Sequence, residues 1–100
     1  MGTIQFTVVS DTEEYCFKKD LFVKMQSSYT SGKTGTVTIN FKSQGDLIDN
    51  DTITMTINKG FMKSIIEDIS KSLNTGSHSK VAVEKVGLYS QVTTIAYTSG

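Results

Sequence analysis

The chain contains one cysteine, Cys16, and one histidine, His78, the residue types that pair as nucleophile and general base in thiol catalysis. Such a pair works only if the fold brings the two side chains within hydrogen-bond distance of each other. Cys16 lies between Tyr15 and Phe17, where a small side chain packs well, and His78 lies in a serine-rich segment that favours exposure. The sequence therefore favours a structural role for both residues, and we predict that the protein is not an enzyme.

Three aspartates, Asp46, Asp49 and Asp51, could supply oxygen ligands to a hard cation such as calcium. Their spacing differs from that of the EF-hand loop. Aspartate is also common in turns because its carboxylate hydrogen-bonds nearby backbone groups, so an acidic loop between two strands is the simpler interpretation. The sequence leaves open whether this loop binds a cation, and we predict no cofactor.

The charged residues argue against a nucleic-acid partner. Ten basic and ten acidic residues give a formal net charge of zero, and every basic residue is a lysine. Without arginine the chain has no guanidinium group for bidentate contacts to phosphate or guanine. The lysines are also scattered along the sequence instead of forming a basic stripe.

The sequence also carries few signs of export. A single cysteine cannot form an internal disulfide, and the first ten residues lack the basic start and apolar run of a signal peptide. No run reaches the roughly 18 apolar residues that a membrane-spanning helix needs. We therefore expect an intracellular or virion protein without a membrane partner.

Alternation of apolar and polar residues predicts strands in several parts of the chain. Residues 3–10 form the first strand, and a second begins at Tyr15. Residues 36–42 and 52–57 alternate most regularly and, joined by the loop 43–51, predict an antiparallel hairpin. Six apolar residues of this hairpin should face the core: Val37, Ile39, Phe41, Ile53, Met55 and Ile57.

The segment 18–35 is ambiguous, because Leu21 and Met25 fit both helical and strand spacing. We expect a short helical turn after Asp20, which could serve as its N-cap. Residues 26–35 are rich in Ser, Thr and Gly, and they predict an exposed loop.

From Asn58 the apolar period changes from two residues to 3.6, which predicts an amphipathic helix at about residues 60–74. Asn58 is the expected N-cap and Gly76 the expected stop. The apolar stripe that should be buried against the sheet consists of Phe61, Met62, Ile65, Ile66, Ile69 and Leu73.

Short strands at residues 80–84 and 91–98 complete the sheet, with Gly87 marking a bend between them. Residues 1–100 are thus predicted to form a single α+β domain. Its sheet should be mainly antiparallel, with about five or six strands, and either barrel-like or sandwich-like. The outward positions of the strands are rich in threonine, which suits a soluble strand but could also present an interaction face.

The order of these elements resembles that of small proteins encoded by tailed phages of marine bacteria. The likeness spans most of the chain and rests on TIQFTVVSD, the paired strands TGTVTINFKS and DTITMTI, and the helix KSIIEDISKSLNTG. It implies a virion-associated assembly part without enzymatic activity, and it carries over no site residue.

We therefore predict a structural or interaction protein that associates with itself or with other assembly proteins. No proline protects the strand edges, so lysines, a covering loop or a neighbouring subunit could protect them instead. The alternative is a small ligand- or metal-binding module, or an enzyme that uses Cys16 and His78.

Overall fold

The computed structural model describes residues 2–8, 13–29, 32–42, 50–83 and 87–98. Among these residues, seven strands form two sheets and one α-helix packs on them, so the predicted α+β class is confirmed. The sheets are not closed into a barrel and form a sandwich. The elements are β1 (Thr3–Val8), β2 (Glu13–Lys18), β3 (Phe22–Tyr29), β4 (Thr34–Lys42), β5 (Asn50–Asn58), α1 (Met62–Leu73), β6 (Ser79–Val83) and β7 (Val92–Thr98).

The strands are divided between a three-stranded and a four-stranded sheet. The three-stranded sheet has the order β2-β1-β6, with β1 antiparallel to β2 and parallel to β6. The four-stranded sheet has the order β3-β4-β5-β7 and is antiparallel throughout. The β4–β5 hairpin at its centre is the one that the alternation predicts.

The core lies between the two sheets and the helix. All six predicted inward residues of the hairpin are fully buried, and Ile4 and Phe6 of β1 face them from the other sheet. The rings of Phe17 and Phe41 stack across the interface with centroids 4.4 Å apart. Phe6 meets both rings edge-on, an arrangement that aromatic quadrupoles favour.

The helix α1 begins later than the sequence predicts. A 3-10 turn at Lys59–Phe61 precedes it, and its N-cap residue is Phe61 in place of Asn58. The Asn58 side chain instead donates a hydrogen bond from Nδ2 to Oε1 of Gln91 at 2.8 Å. Met62, Ile65 and Ile69 are buried as predicted, with Ile66 and Leu73 partly buried against the core.

The predicted burial of Phe61 is wrong, because its side chain is 42% exposed. A 3-10 turn has three residues per turn, so Phe61 falls off the stripe that the 3.6-residue period of α1 defines. The helix ends at Leu73, three residues before the expected stop at Gly76, and Asn74 is its C-cap.

The prediction of a loop over residues 26–35 is largely wrong. Residues 26–29 belong to β3, and Thr34 and Gly35 begin β4. β3 is an edge strand whose backbone bonds are supplied by β4, so it forms without apolar residues on both faces. Ser27 and Tyr29 are accordingly exposed.

A helical turn does form near Asp20, but it is a 3-10 turn at Lys19–Leu21 and its N-cap is Lys18. Asp20 lies inside the turn and is not its cap. The bend predicted at Gly87 is confirmed, since this residue has φ +83°. That conformation is strained for residues with a side chain. Gly87 is the N-cap of the short 3-10 turn Leu88–Gln91, which leads into β7.

Lys19 is buried, although lysine is rarely buried, and no pattern in the sequence predicts this. Its Nζ lies within hydrogen-bond distance of four oxygens, all beyond the end of α1. They are Thr75 Oγ1 at 2.7 Å, Thr75 O at 3.3 Å, Ser77 O at 2.6 Å and Ser79 Oγ at 2.8 Å. None of these acceptors carries a formal charge.

The two hydroxyls that accept hydrogen bonds from Lys19 also donate hydrogen bonds to the last turn of the helix. Thr75 Oγ1 and Ser79 Oγ both donate to the carbonyl of Ser72, at 3.0 and 3.4 Å. The ammonium therefore lies near the C-terminal end of α1, where the helix dipole is negative and favours a cation. We call Lys19, Gly2 and residues 72–79 the Lys19 cluster.

Gly2 completes this cluster. Its carbonyl accepts a hydrogen bond from the backbone N–H of Lys19 at 3.0 Å. A Cβ at Gly2 would lie 2.1 Å from the carbonyl oxygen of Ser77, so any larger residue would displace the backbone. The cluster thus joins β1, the end of β2 and the loop after α1.

Candidate functional site

Cys16 lies on the outer side of β2, opposite Gln5 of β1, and its side chain is exposed. The expectation that it packs as a small apolar residue is wrong, because the alternation of β2 points Phe17 into the core and Cys16 out. His78 is exposed, as predicted, and directly precedes β6.

The histidine ring is bound to the start of β1. The backbone N–H of Thr3 donates to Nδ1 of His78 at 3.2 Å, and the Thr3 hydroxyl lies 2.7 Å from the same nitrogen. Because a backbone N–H can only donate, Nδ1 acts as an acceptor and the neutral ring carries its proton on Nε2.

The structure does not bring Cys16 and His78 together. β1 lies between β2 and β6, and strands are about 4.8 Å apart, so the two backbones are separated by about 10 Å or more. Cys16 faces Gln5, whereas His78 contacts Thr3. The described residues therefore provide no contact through which this histidine could take a proton from this thiol.

Of the three aspartates, Asp46 and Asp49 lie outside the described residues. Asp51 lies in β5 opposite Phe41, and it is half-buried. Burial raises the pKa of the neighbouring Tyr97, and the charge of Asp51 and its hydrogen bond with the phenol raise it further. Within the described ranges, no group of three His, Cys, Asp or Glu side chains could hold a metal ion.

The outer face of the four-stranded sheet presents a regular array of side chains. Strand pairing aligns its side chains in three rows across β3, β4, β5 and β7. The rows are Ser28–Thr36–Thr56–Thr94, Gln26–Thr38–Thr54–Ala96 and Lys24–Asn40–Thr52–Thr98. We call these twelve residues the threonine face.

The threonine face carries a charge only at Lys24, at its β3 margin. Its residues are half-buried on β4 and β5 and exposed on β3 and β7. One of its internal hydrogen bonds runs from Thr52 Oγ1 to Asn40 Oδ1 at 2.9 Å. The core lies on the opposite side of the sheet, so this face is directed away from the helix.

The four edge strands differ in charge. β2 carries Glu14 and Lys18, and β6 carries Lys80. β3 carries Lys24 and has an irregular register between Phe22 and that lysine. Charges and bulges of this kind are the devices that keep an edge strand from pairing with another chain.

β7 differs from the other edges because its sequence, VTTIAYT, contains no charged residue. Its register with β5 shifts near Thr93 and is regular from Thr94 to Thr98. Among the described residues β7 pairs only with β5, which leaves its other edge open. The lack of charge is visible in the sequence, but the edge position of β7 is not.

Apolar side chains accompany the open edge of β7. Ile95 is partly buried against the core, whereas Tyr97 is 37% exposed. The Tyr97 ring stacks on Tyr15 with centroids 5.0 Å apart. An uncharged strand with exposed apolar surface beside it is typical of an interaction site.

Within the part of the chain that the structure describes, no helix has the length and apolarity needed to cross a membrane. Comparisons of the chain with protein-family models, with curated proteins and with solved structures gave no match.

Proposed function

We propose that this protein is a non-enzymatic structural or interaction protein that associates with itself through its four-stranded sheet. The observation that carries the proposal is the open, uncharged edge of β7. An edge strand presents a row of backbone N–H and C=O groups that a strand of another chain can satisfy.

The contrast with the other edges supports this proposal. Lys24, Lys80 and the charges of β2 oppose pairing at three edges of the two sheets. β7 has a register irregularity near Thr93 but carries no charge, and its regular part contains β-branched and aromatic residues that favour strand pairing. Self-association at this edge would leave the core and the helix unchanged.

We also propose an assembly setting, as a component of a phage particle or a similar structure, in a cell or a virion. The support for this setting is the resemblance of the strand and helix order to small proteins of marine tailed phages. The threonine face, which is uncharged apart from Lys24 at its margin, gives such a component a second broad surface for contact with other assembly proteins.

The test is light scattering after size-exclusion chromatography over a range of protein concentrations. We expect the apparent mass to rise from monomer towards dimer as the concentration increases to about 1 mM. A strictly monomeric protein over this range would contradict the proposal.

A matched pair of variants locates the contact. Ala96→Lys and Gln26→Lys add the same charge to the same row of the threonine face, at opposite edges of the sheet. We expect Ala96→Lys to abolish the rise in mass and Gln26→Lys to leave it unchanged. If Gln26→Lys abolished the rise and Ala96→Lys did not, the contact would lie at β3 and not at β7.

A further inference from the structure

We propose that two copies of the protein pair β7 with β7, antiparallel, about a two-fold axis at Ala96, so that their four-stranded sheets form one continuous sheet. This inference rests on the proposed self-association and specifies its geometry. Closed dimers with two-fold symmetry are the commonest oligomers, and their interface uses the same patch on both subunits.

The regular part of β7 determines where the axis lies. The register with β5 shifts near Thr93 and then runs without interruption from Thr94 to Thr98. Ala96 is the central residue of this regular segment. An axis one residue earlier would include the irregular Thr93 in the pairing, and an axis one residue later would shorten the paired segment.

An axis at Ala96 pairs side chains that match. Ile95 then lies opposite the partner's Tyr97, and both belong to the apolar side of the strand. The exposed part of the Tyr97 ring would be covered by an aliphatic side chain, and cross-strand pairs of this type are stabilising. Thr94 lies opposite the partner's Thr98, which continues the threonine face across the interface.

The residue on the axis faces its own copy, and Ala96 suits this position. Side chains directly opposite each other in antiparallel strands have Cβ atoms about 5 Å apart, so a charge at this position would meet an identical charge. The outward side of β7 carries only Thr94, Ala96 and Thr98, all neutral. The pairing therefore meets no electrostatic repulsion along the strand.

The dimer should be weak. Adding a single strand buries less than the roughly 800 Å² per partner of standard protein interfaces. We therefore expect reversible association with a dissociation constant of roughly 10 to 100 µM.

Disulfide cross-linking tests the register. In a Cys16→Ser background, each variant carries one introduced cysteine. Facing residues of antiparallel strands have Cα atoms about 4.5 to 5.5 Å apart, which a disulfide can span. With copper-phenanthroline as the oxidant, we expect Ala96→Cys to form a covalent dimer in high yield, and Gln26→Cys on the β3 edge to form at least tenfold less.

A mixed pair sharpens the test. Thr94→Cys and Thr98→Cys should cross-link with each other when mixed, because the proposed register places these residues opposite one another. Thr94→Cys alone should not cross-link, because its two copies would be offset by four residues, about 13 Å along the strand. Strong cross-linking of Thr94→Cys alone would overturn the register.

The outcomes separate the geometry from the function. Association in light scattering without cross-linking at Ala96→Cys would overturn the β7 pairing and leave the proposed self-association standing. A protein that stays monomeric to about 1 mM and does not cross-link would overturn both.

Discussion

The Lys19 cluster and the β7 edge differ in whether their polar groups find hydrogen-bond partners within the described chain. In the cluster, a buried ammonium lies within hydrogen-bond distance of four oxygens, and two of these hydroxyls donate onward to the end of α1. At the β7 edge, the backbone groups on one side of an uncharged strand pair with no other strand among the described residues. One region is closed within the chain, whereas the other presents backbone groups with which the proposed partner strand would pair.

From this difference we expect changes in the two regions to affect different properties, namely the stability of the fold and the proposed association. A buried polar group without a partner costs about 1 to 3 kcal/mol, so changes in the cluster should lower the stability of the fold. Groups at an open edge are already satisfied by water, so changes on β7 should alter association and leave the fold intact. The following predictions test this division.

Lys19→Met should have the largest effect on stability. The methionine fills a similar volume but leaves the Ser77 and Thr75 carbonyls without their donor. We expect the free energy of unfolding, measured by urea denaturation, to fall by about 2 to 4 kcal/mol. Lys18→Met, a change of an adjacent exposed lysine, is the control and should stay within about 0.5 kcal/mol of the parent.

An unchanged stability in Lys19→Met would mean that the hydrogen bonds of the ammonium only offset the cost of burying its charge. The cluster would then contribute no more to the fold than an apolar contact would. The comparison with the β7 edge would lose its basis.

Gly2→Ala should have the next largest effect. Its Cβ would overlap the carbonyl oxygen of Ser77, which belongs to the backbone and cannot rotate away. We expect a loss of about 1 to 3 kcal/mol in thermal or urea unfolding. The control is Gly76→Ala, because Gly76 lies next to Ser77 and a Cβ there would have open space around it. A loss of stability of the same size in this control would argue against the steric explanation.

Tyr89 lies in the 3-10 turn that precedes β7, outside both regions, and its hydroxyl donates to Oδ2 of Asp68 on α1. Burial raises the pKa of Tyr89, and the hydrogen bond and charge of Asp68 raise it further. Above pH about 10 the unfolded tyrosine loses its proton while the folded one keeps it, so stability should fall as the pH rises. Below that pH this contribution is fully present.

Tyr89→Phe should cost about 1 kcal/mol at neutral pH and make the alkaline loss of stability smaller. Urea unfolding from about pH 8 to about pH 11 measures both effects. Some alkaline loss should persist, because the pKa of Tyr97 is also raised. An identical pH profile in the variant and the parent would show that Tyr89 does not carry this dependence.

The elements with a regular apolar period were predictable from the sequence. Ile39 and Ile53 face the core because strict alternation leaves one face of each strand apolar. Ile65 and Ile69 are buried for the same reason at helical spacing. Phe61 continues the same spacing but lies in a 3-10 turn. The apolar spacing does not show that the backbone changes there from 3.6 to three residues per turn.

Features that depend on distant partners were not predictable. The acceptors of Lys19 lie 56 to 60 residues further along the chain, so no local pattern distinguishes this lysine from its exposed neighbour Lys18. Residues 26–29 of β3 fall in the predicted loop because their order comes from pairing with β4 and not from their own composition. The open edge of β7 likewise follows from strand order, which depends on contacts between distant segments.

Ala96→Lys should have the smallest effect on stability and the clearest effect on association. Ala96 is exposed at the edge of the sheet, so we expect urea denaturation of the dilute monomer to change by less than about 0.5 kcal/mol. In a dimer with its axis at this residue, the substitution would place two ammonium groups opposite each other, and dimerisation should be lost. A large loss of monomer stability would show that β7 belongs, like the Lys19 cluster, to the closed part of the fold, and its missing charges would then reflect packing within the chain instead of a partner.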